Sequence, residues 1–396
     1  MSADLTRDRV AIVGVGSTGY SRGDTGRSAP SYAYEAAVAA IRDADLTQID
    51  IDGVVSSTGS GYPNLVPPAS IEVVAALGLP TVTYYSEGNP VIGGAMIDAI
   101  NALLTGRCRN VLVYHYNYRG PYMSRRAASD PFRRWIRGYA DDPPESAKNA
   151  AAYSFWASNY FARYDARREH LGYLAINSRT NAASNPLAAI REPLTMEEYL
   201  EARMIRDPLC MFDMDLPVDG ADAFVLTLTE RAADRPHTPV LVHTANQGAV
   251  GPNDEDQLPS LERHGHDVVV EQLWRDSERT LADVDVAFIY DGFTFIAMSW
   301  LEKLGWCGPG EAGSFIEQHW VDDQQRLMID GRIPVNPSGG MLSEGGTQGA
   351  GSVREAVHQL RGDAGSRQVE QAETALLAIG GFFYNAQSIM LTRGPA

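Results

Sequence analysis

One glycine-rich segment, Asn336 to Gly351, limits what this chain can fold into more than any other stretch. It reads NPSGGMLSEGGTQGAG and has no run of apolar residues, so it cannot form a core of its own. Glycine loses more chain entropy on ordering than other residues, which is tolerated where the backbone needs a positive φ or approaches a ligand closely. The sequence turns helical from Ser352, which would place the N–H groups of a helix N-terminus beside the segment. The pattern predicts a site for an anion or a carbonyl oxygen, with a long surface loop as the alternative.

Composition narrows the class of protein. The chain has 396 residues, enough for two hydrophobic cores, and 44% of them are hydrophobic. A net charge of −17 argues against nucleic acid or an anionic membrane as a partner. A cluster of arginines within residues 125–137 is either a local patch for an anionic ligand or a solvated polar face. Three widely spaced cysteines form neither a disulfide framework nor a metal site, and we expect a reduced, cytoplasmic protein without a signal region.

The order of elements predicts an α/β fold. Strand-like runs alternate with helical ones up to about residue 116, which favours a mostly parallel sheet covered on both faces. A helix, an Asp-x-Asp turn and an apolar run occur near residue 50 and again near residue 284, which suits two related βαβ-rich halves. Between about 119 and 217 the pattern becomes mostly helical, and we call this stretch the cap. We predict an N-terminal half at 1–250, including the cap, and a C-terminal half at 251–396.

A second glycine pattern offers a different interpretation. Gly14, Gly16 and Gly19 follow an apolar run with the spacing of a dinucleotide-binding fingerprint. In that fingerprint the glycines open a helix directly, whereas here turn-forming residues continue and the helix begins near Ser31. Glu35, the acidic residue at about the right distance, lies inside that helix. An oxidoreductase that uses this motif stays as an alternative.

Several short motifs occur in an order that resembles the thiolase superfamily. They are VAIVGVG near the start, DGADA at 219–223, LGWCG at 304–308, the glycine-rich segment and a terminal hairpin, LLAIGG to SIML. The resemblance covers essentially the whole chain and is closest to the non-specific lipid-transfer (sterol-carrier) branch. It implies a five-layer α-β-α-β-α thiolase fold and a homodimer that pairs through the strand Asn110 to Tyr116.

The positions of the thiolase catalytic groups depart from the family pattern. The place of the nucleophilic cysteine falls on or beside Pro90, and the second cysteine's loop reads GGFFY at 380–384. The glycine cluster at 345–349 lacks the family's histidine. These departures leave no route to an acyl-cysteine intermediate, and hence none to thiolysis or Claisen condensation.

Residues 290–294, which read YDGFT, resemble the thiolase-like steroid side-chain-cleaving aldolases. That resemblance implies retro-aldol cleavage of a β-hydroxyacyl-CoA, with Tyr290 as proton shuttle and no cofactor beyond the CoA thioester substrate. It also implies a small OB-fold, zinc-ribbon partner protein. A second tyrosine of that group would fall on Gly346, so Tyr384 or Glu344 is expected to replace it. A catalytically silent subunit that binds acyl-CoA or lipid is the other interpretation.

The predicted site follows from these resemblances, and it includes no metal. Amide groups of the glycine-rich segment are expected to hold the thioester oxygen while the enolate forms. The predicted catalytic residues are Tyr290, Tyr384 and Glu344, and the predicted substrate-binding residues are Asp291, Asn336, Gly339, Gly340, Gly346 and Gln348.

Overall fold

A computed structural model describes residues 6–58, 70–89, 91–119, 150–251, 258, 260–382 and 385–395. The main helices are α1 (Ala29–Asp43), α2 (Ser70–Leu77), α3 (Ile92–Leu104), α4 (Ala150–Arg163), α5 (Arg168–Ala182), α6 (Met196–Glu201), α7 (Gly265–Asp276), α8 (Thr294–Leu304), α9 (Ala312–Gln318) and α10 (Ala350–Arg361). The strands are β1 (Val10–Ser21), β2 (Gly53–Thr58), β3 (Tyr84–Asn89), β4 (Asn110–Tyr118), β5 (Met204–Arg206), β6 (Leu209–Cys210), β7 (Asp219–Leu228), β8 (Val240–Gly248), β9 (Val286–Ile289), β10 (Trp320–Val321), β11 (Arg326–Ile329), β12 (Ile333–Pro334), β13 (Thr374–Ile379) and β14 (Ala386–Arg393).

The main sheet consists of two parts that meet at a narrow junction. Its strand order is β3-β2-β4-β7-β1-β8-β14-β13-β9. At the junction, β1 and β8 share only two residue pairs, Ala11 with Leu241 and Ile12 with Val240. By contrast, β8 pairs with β14 along its whole length. We call the part formed by β3, β2, β4, β7 and β1 the first sheet and the part formed by β8, β14, β13 and β9 the second sheet, while β5–β6 and β10–β12 form two separate small sheets.

Helices cover both sheets and fill the space between them. Helix α1 packs on the outer face of the first sheet, against β1, β4 and β7. Helix α3 contacts β2, β4 and β7 on one side and β8 and β14 on the other, and α10 likewise touches strands of both sheets. Helix α7 covers β8 and β14 from outside, beside α8. The layers are thus helix, sheet, helix, sheet, helix, as predicted.

The turn that occurs twice in the sequence has the same structure in both halves. Thr47 begins a single 3-10 turn, and its N–H donates to Asp50 Oδ2 at 2.9 Å. Thr280 begins the equivalent turn, with its N–H 2.8 Å from Asp283 Oδ2. In each turn the threonine hydroxyl bonds the same carboxylate oxygen.

The second aspartate has the same role in both turns, because it accepts an N–H from the first residue of a neighbouring strand. Asp52 accepts the N–H of Asn110, the first residue of β4, at 2.9 Å. Asp285 accepts the N–H of Thr374, the first residue of β13, at 3.0 Å. Because β4 runs parallel to β2 and β13 runs parallel to β9, each aspartate links a strand to the next parallel one. The prediction of two similar halves is confirmed.

Gly14 and Gly16 lie inside β1 rather than in a loop before a helix. A Cβ on Gly14 would stand 2.2 Å from Ala40 O, and one on Gly16 would stand 2.3 Å from Ala36 O. Both glycines allow α1 to lie directly against the strand. Since the strand continues through the motif to Ser21, no phosphate-binding turn forms at Gly14 and the oxidoreductase interpretation is wrong.

The strand expected to pair two chains, Asn110 to Tyr116, is internal. It forms most of β4, which hydrogen-bonds to β2 on one side and to β7 on the other. An apolar run of this kind is typical of a central strand with both faces covered, so the expectation that a homodimer pairs through this strand is wrong. Among the described strands of the main sheet, β3 and β9 are the edges.

The described part of the cap is largely helical, as predicted. It contributes α4, α5 and α6, followed by the small β5–β6 pair. Helix α5 packs against α8, α9, β11 and the glycine-rich segment, so the cap closes over the second half. Within the described ranges, no helix is both long and apolar enough to cross a membrane.

Candidate active site

The glycine-rich segment is buried along its whole length, so the surface-loop alternative is wrong. A single π-helical turn over Gly340–Glu344 forms its middle, and Gly339 and Gly345 flank that turn with φ values of 106° and 152°. These left-handed values favour glycine. The glycines therefore allow a buried turn in which the backbone of a residue with a Cβ would be strained.

Two glycines also allow close contacts with other elements. A Cβ on Gly339 would lie 2.6 Å from the Cβ of Ala182, at the end of α5. A Cβ on Gly340 would lie 2.2 Å from Asp291 Oδ2. The segment is thus wedged between the cap and the residues that follow β9.

Asparagines on α5 and just after it hold the start of the segment. Asn181 Nδ2 donates to Val335 O and to Asn336 O, each at 3.0 Å. Asn185 Nδ2 donates to Ser338 O at 2.9 Å. Asn177 and Ser178 add bonds to Val335 O and Gly339 O. Our sequence reasoning missed these residues, although the four-residue spacing of asparagines at 177, 181 and 185 was a readable signal.

Replacing Asn181 with alanine is expected to loosen this attachment. Asn181→Ala leaves two buried carbonyls without one of their donors, which should lower the free energy of unfolding by about 1–3 kcal/mol. Asn101, an exposed residue on α3, offers a matched Asn→Ala control. Urea titration of both variants checks the prediction, and equal stabilities would contradict it.

Tyr290 lies directly after β9 and faces the glycine-rich segment. It is 8% exposed, and its hydroxyl donates to Gln348 Oε1 at 3.0 Å. Its ring packs on Gly292, where a Cβ would stand 2.5 Å from the ring carbon Cε1. Burial, together with the negative charge of Asp215, raises the pKa of Tyr290 well above its usual range. In the resting protein Tyr290 is therefore a protonated donor.

Asp291 anchors the π-helical turn. Its Oδ1 accepts the N–H of Met341 at 2.7 Å, and the carboxyl is 3% exposed. Burial raises the pKa of Asp291 to about 7, although bonds from backbone amides favour the charged form. Asp291 therefore titrates near neutrality while remaining inside the fold.

This titration predicts a pH-dependent stability. Since the pKa of Asp291 is about 7 in the folded chain and the reference value is 3.8, the folded state binds more protons between these pH values. Its contribution to stability is complete below the unfolded pKa and is lost as pH rises through the folded one. The free energy of unfolding should fall by up to about 1.4 kcal/mol for each pH unit in that window. Asp291→Asn should remove the slope and exposed Asp234→Asn should keep it in urea titrations; a slope unchanged in Asp291→Asn would contradict the prediction.

Asn336 fastens the segment to the end of β9. Its Nδ2 donates to Ile289 O at 2.8 Å, and its Oδ1 accepts Ile289 N–H at 2.9 Å. The N–H of Gly339 donates to Asn336 O at 2.9 Å, which gives that amide an internal partner. Asn336 and Gln348 both have positive φ, 51° and 52°. The substrate-binding roles of these residues and of Gly340 stay predictions.

Glu344 belongs to a buried charge network with Arg354 at its centre. Arg354 donates to Asp222 Oδ1 at 2.7 Å and also to Glu344 and Tyr20. The Arg354 and Glu344 side chains are each 2% exposed, and that of Asp222 is fully buried. Burial raises the pKa of Glu344, and the positive charge of Arg354 opposes that rise. The network ties the glycine-rich segment to β7 and β1, and the catalytic role of Glu344 stays a prediction.

Gly346 lies against the end of the cap. Its N–H donates to Leu216 O at 2.8 Å, and a Cβ would stand 2.4 Å from Asp215 Oδ2. The same carboxylate oxygen is 3.2 Å from Arg119 Nη1. Asp215 and Arg119 could not be predicted from the sequence, because their proximity to the segment depends on tertiary structure.

Comparisons with known proteins identify the family. Residues 256–393 match the family model described as Thiolase C-terminal domain-like. The chain is 32% identical over 373 residues to a steroid side-chain-cleaving aldolase of Thermomonospora curvata, with 89% of this chain and 90% of that protein covered. The chain belongs to the thiolase-like steroid side-chain-cleaving aldolases. It is also 31% identical over 370 residues to a 17-hydroxy-3-oxo-4-pregnene-20-carboxyl-CoA lyase of Mycobacterium tuberculosis, covering 89% of this chain and 92% of that one.

Solved structures support the assignment of this chain to the aldolase family and to the thiolase fold. The chain superposes on the Ltp2-ChsH2(DUF35) aldolase with a TM-score of 0.84 and 30% identity, and 98% of each chain is covered. Human mitochondrial 3-ketoacyl-CoA thiolase matches with a TM-score of 0.70 at 13% identity over 99% of each chain, which supports the fold alone. The predictions of the family, the thiolase fold and a carbon–carbon lyase are confirmed. The division at residue 250 stays a prediction, and β8, which precedes it, pairs with the second sheet.

The cysteines of this aldolase are poor nucleophiles. Cys108 and Cys210 are buried and Cys307 is partly buried. Burial raises the pKa of Cys108 and Cys307 to about 12 and that of Cys210 to about 11, which keeps the thiols protonated at neutral pH. Among the described residues, no group of three or more His, Cys, Asp or Glu side chains is arranged to hold a metal ion.

Three sequence predictions fall outside the part of the chain that the structure describes. Tyr384, Pro90 and the arginine cluster at 125–137 all lie in undescribed positions. That Tyr384 takes the role of the missing second tyrosine thus stays a prediction.

Proposed function

We propose that this aldolase cleaves the Cα–Cβ bond of a β-hydroxyacyl-CoA whose acyl group is of the steroid side-chain type. The observation that supports this most directly is the contact between Tyr290 and Gln348, which brings a protonated phenol from the end of β9 against the glycine-rich segment. The named activities of the two relatives, an aldolase and an acyl-CoA lyase, agree with this chemistry.

The proposed reaction needs two proton transfers and no covalent intermediate. A base takes the β-hydroxyl proton, the hydroxyl oxygen becomes a carbonyl oxygen, and the Cα–Cβ bond breaks. Its electrons move into the thioester as an enolate, which backbone amides of the glycine-rich segment are proposed to stabilise. Tyr290 then donates its proton to Cα, giving a shorter acyl-CoA and a ketone. Tyr290 is suited to this step because its high pKa keeps the proton in place until the enolate forms.

We also propose that the chain works in an assembly. The solved relative of the same fold is an Ltp2-ChsH2(DUF35) aldolase, and we infer a partner of that DUF35 type with an OB-fold and a zinc ribbon. We further propose a homodimer, and the strand β3, with 71% of Tyr85 exposed, offers an unpaired sheet edge for it. Light scattering on the purified chain should give about twice the 43.1 kDa mass, and a monomer at micromolar concentration would reject the homodimer.

Turnover tests the proposed function directly. The chain, with and without a co-expressed DUF35 partner, is incubated with a β-hydroxyacyl-CoA that carries a steroid side chain. We expect equal amounts of a ketone and a shortened acyl-CoA, and no thiolysis when a β-ketoacyl-CoA and free CoA are supplied. Binding of the acyl-CoA without cleavage, even with the partner present, would favour the silent-subunit interpretation.

A further inference from the structure

The carboxylate of Asp215 occupies the space that a side chain at position 346 would fill. Because Gly346 has no Cβ, Asp215 Oδ2 reaches a point 2.4 Å from where that atom would be. Backbone bonds fix this approach: Leu216 O accepts the N–H of Gly346 at 2.8 Å, and Leu216 N–H donates to Met341 O at 3.1 Å. The cap's last residues are thus attached to the glycine-rich segment at the π-helical turn and just after it.

Arg119 holds the carboxylate from the end of β4, a strand of the first sheet. It follows β4, where its N–H donates to Asp219 Oδ1 at 2.5 Å and its guanidinium lies 3.2 Å from Asp215 Oδ2. The side chains of Arg119 and Asp215 are 14% and 23% exposed, whereas those of Arg354 and Asp222 are almost completely buried. The Arg119–Asp215 pair is therefore partly exposed.

The backbone of Asp215 also lies close to Tyr290. The N–H of Asp215 donates to Gly292 O at 3.0 Å. The Tyr290 ring packs on that glycine, with its hydroxyl 3.2 Å from the point where a Gly292 Cβ would be. Asp215 also acts on Tyr290 through its negative charge. Asp215 and Tyr290 thus both lie between the end of β9 and the glycine-rich segment, close enough for the charge of one to act on the other.

The first step of the proposed reaction requires a base, and protonated Tyr290 cannot act as that base. In the resting protein its hydroxyl donates to Gln348, so the phenol must lose its own proton before it can accept another. Two nearby carboxylates already have internal partners: Asp291 binds the Met341 amide, and Glu344 binds Arg354. Asp215 is also paired, with Arg119, but both of these side chains are partly exposed.

We propose that Asp215, positioned by Arg119, is the base that removes the β-hydroxyl proton; this inference rests on the proposed function. The carboxylate takes the proton, the O–H electron pair forms the new carbonyl, and the Cα–Cβ electron pair moves into the thioester enolate. Tyr290 protonates Cα, and the proton held by Asp215 then returns to Tyr290 through solvent. Atoms and charge balance without an oxidant or a further reactant.

The test compares Asp215→Asn, Asp215→Ala and the charge-matched control Asp323→Asn, whose aspartate is exposed in the turn between β10 and β11. We expect both Asp215 variants to lose about 10²–10⁴ in kcat with little change in KM, and the control to keep wild-type turnover. Added formate should restore part of the activity of Asp215→Ala, where it can enter the vacated space, and none of that of Asp215→Asn. A merely structural role would not respond to formate.

A second variant leaves Asp215 in the sequence but moves it. Gly346→Ala places a methyl group 2.4 Å from the carboxylate oxygen and 2.8 Å from Leu216 O, and we expect it to reduce kcat by at least tenfold, with circular dichroism showing whether the fold is kept. If the wild-type chain cleaves the substrate and Asp215→Asn is equally active, the inference is overturned and the proposed function stands. Absence of cleavage by the wild-type chain with its partner would overturn both.

Discussion

Tyr290→Phe is expected to lower retro-aldol turnover by about 10²–10⁴ while the fold and acyl-CoA binding stay nearly unchanged. The substitution keeps the ring that packs on Gly292 and removes only the hydroxyl that donates to Gln348. Without that hydroxyl, no proton is in place for Cα when the enolate forms. Steady-state kinetics with a β-hydroxyacyl-CoA, together with the dissociation constant of a non-cleavable acyl-CoA, separates the two effects.

A tyrosine outside the site supplies the control for this prediction. Tyr84 on β3 donates its hydroxyl to Asp98 Oδ1 at 2.5 Å, so Tyr84→Phe removes a comparable hydrogen bond far along the sequence from the site. We expect a modest loss of stability and full turnover from it. If Tyr290→Phe were as active as Tyr84→Phe, the phenol would have no part in the proton transfer.

Most of the fold could be predicted from the sequence because the patterns that indicate it lie within short stretches of the chain. The repeated turn could be read at Asp50 and Asp283, and the structure places both in the same hydrogen-bonded arrangement. Glycine clustering predicted a segment with unusual backbone, and the positive φ values of Gly339 and Gly345 are of that kind. Tyr290 could be proposed because it follows an apolar strand, where side chains of α/β folds meet ligands.

The contacts that the sequence did not predict join residues far apart in the chain. Asp215 and Gly346 touch because the end of the cap returns to the glycine-rich segment. The DGADA motif at 219–223 has the composition of a turn, yet β7 begins at Asp219. Gly220 makes this possible, since any Cβ there would lie 2.3 Å from Gly19 O on the neighbouring strand. Composition suggests a turn at such a position, and only strand pairing shows why a strand needs the glycine.

Arg354→Met is expected to cause a large loss of stability, about 3–5 kcal/mol at neutral pH. The substitution keeps the length of the side chain but removes the cation between Asp222 and Glu344, both of which are buried. Two carboxylates would then be held near each other without a compensating charge. Because this network ties the glycine-rich segment to the first sheet, we also expect faster hydrogen exchange over Asn336 to Gly351.

The loss caused by Arg354→Met should depend on pH in a definite direction. Burial already raises the pKa of Glu344, and Arg354 opposes that rise, so its removal should raise this folded-state pKa further. A carboxyl with a raised folded pKa stabilises the fold below its unfolded pKa, and that contribution is lost as pH rises through the folded value. The deficit relative to wild type should therefore be larger in urea titrations at pH 7.5 than at pH 5. Arg42→Met, which removes the same charge from the exposed end of α1, should change stability by no more than about 0.5 kcal/mol. A deficit of equal size at both pH values would mean that the buried carboxylates do not need Arg354 as their counter-charge.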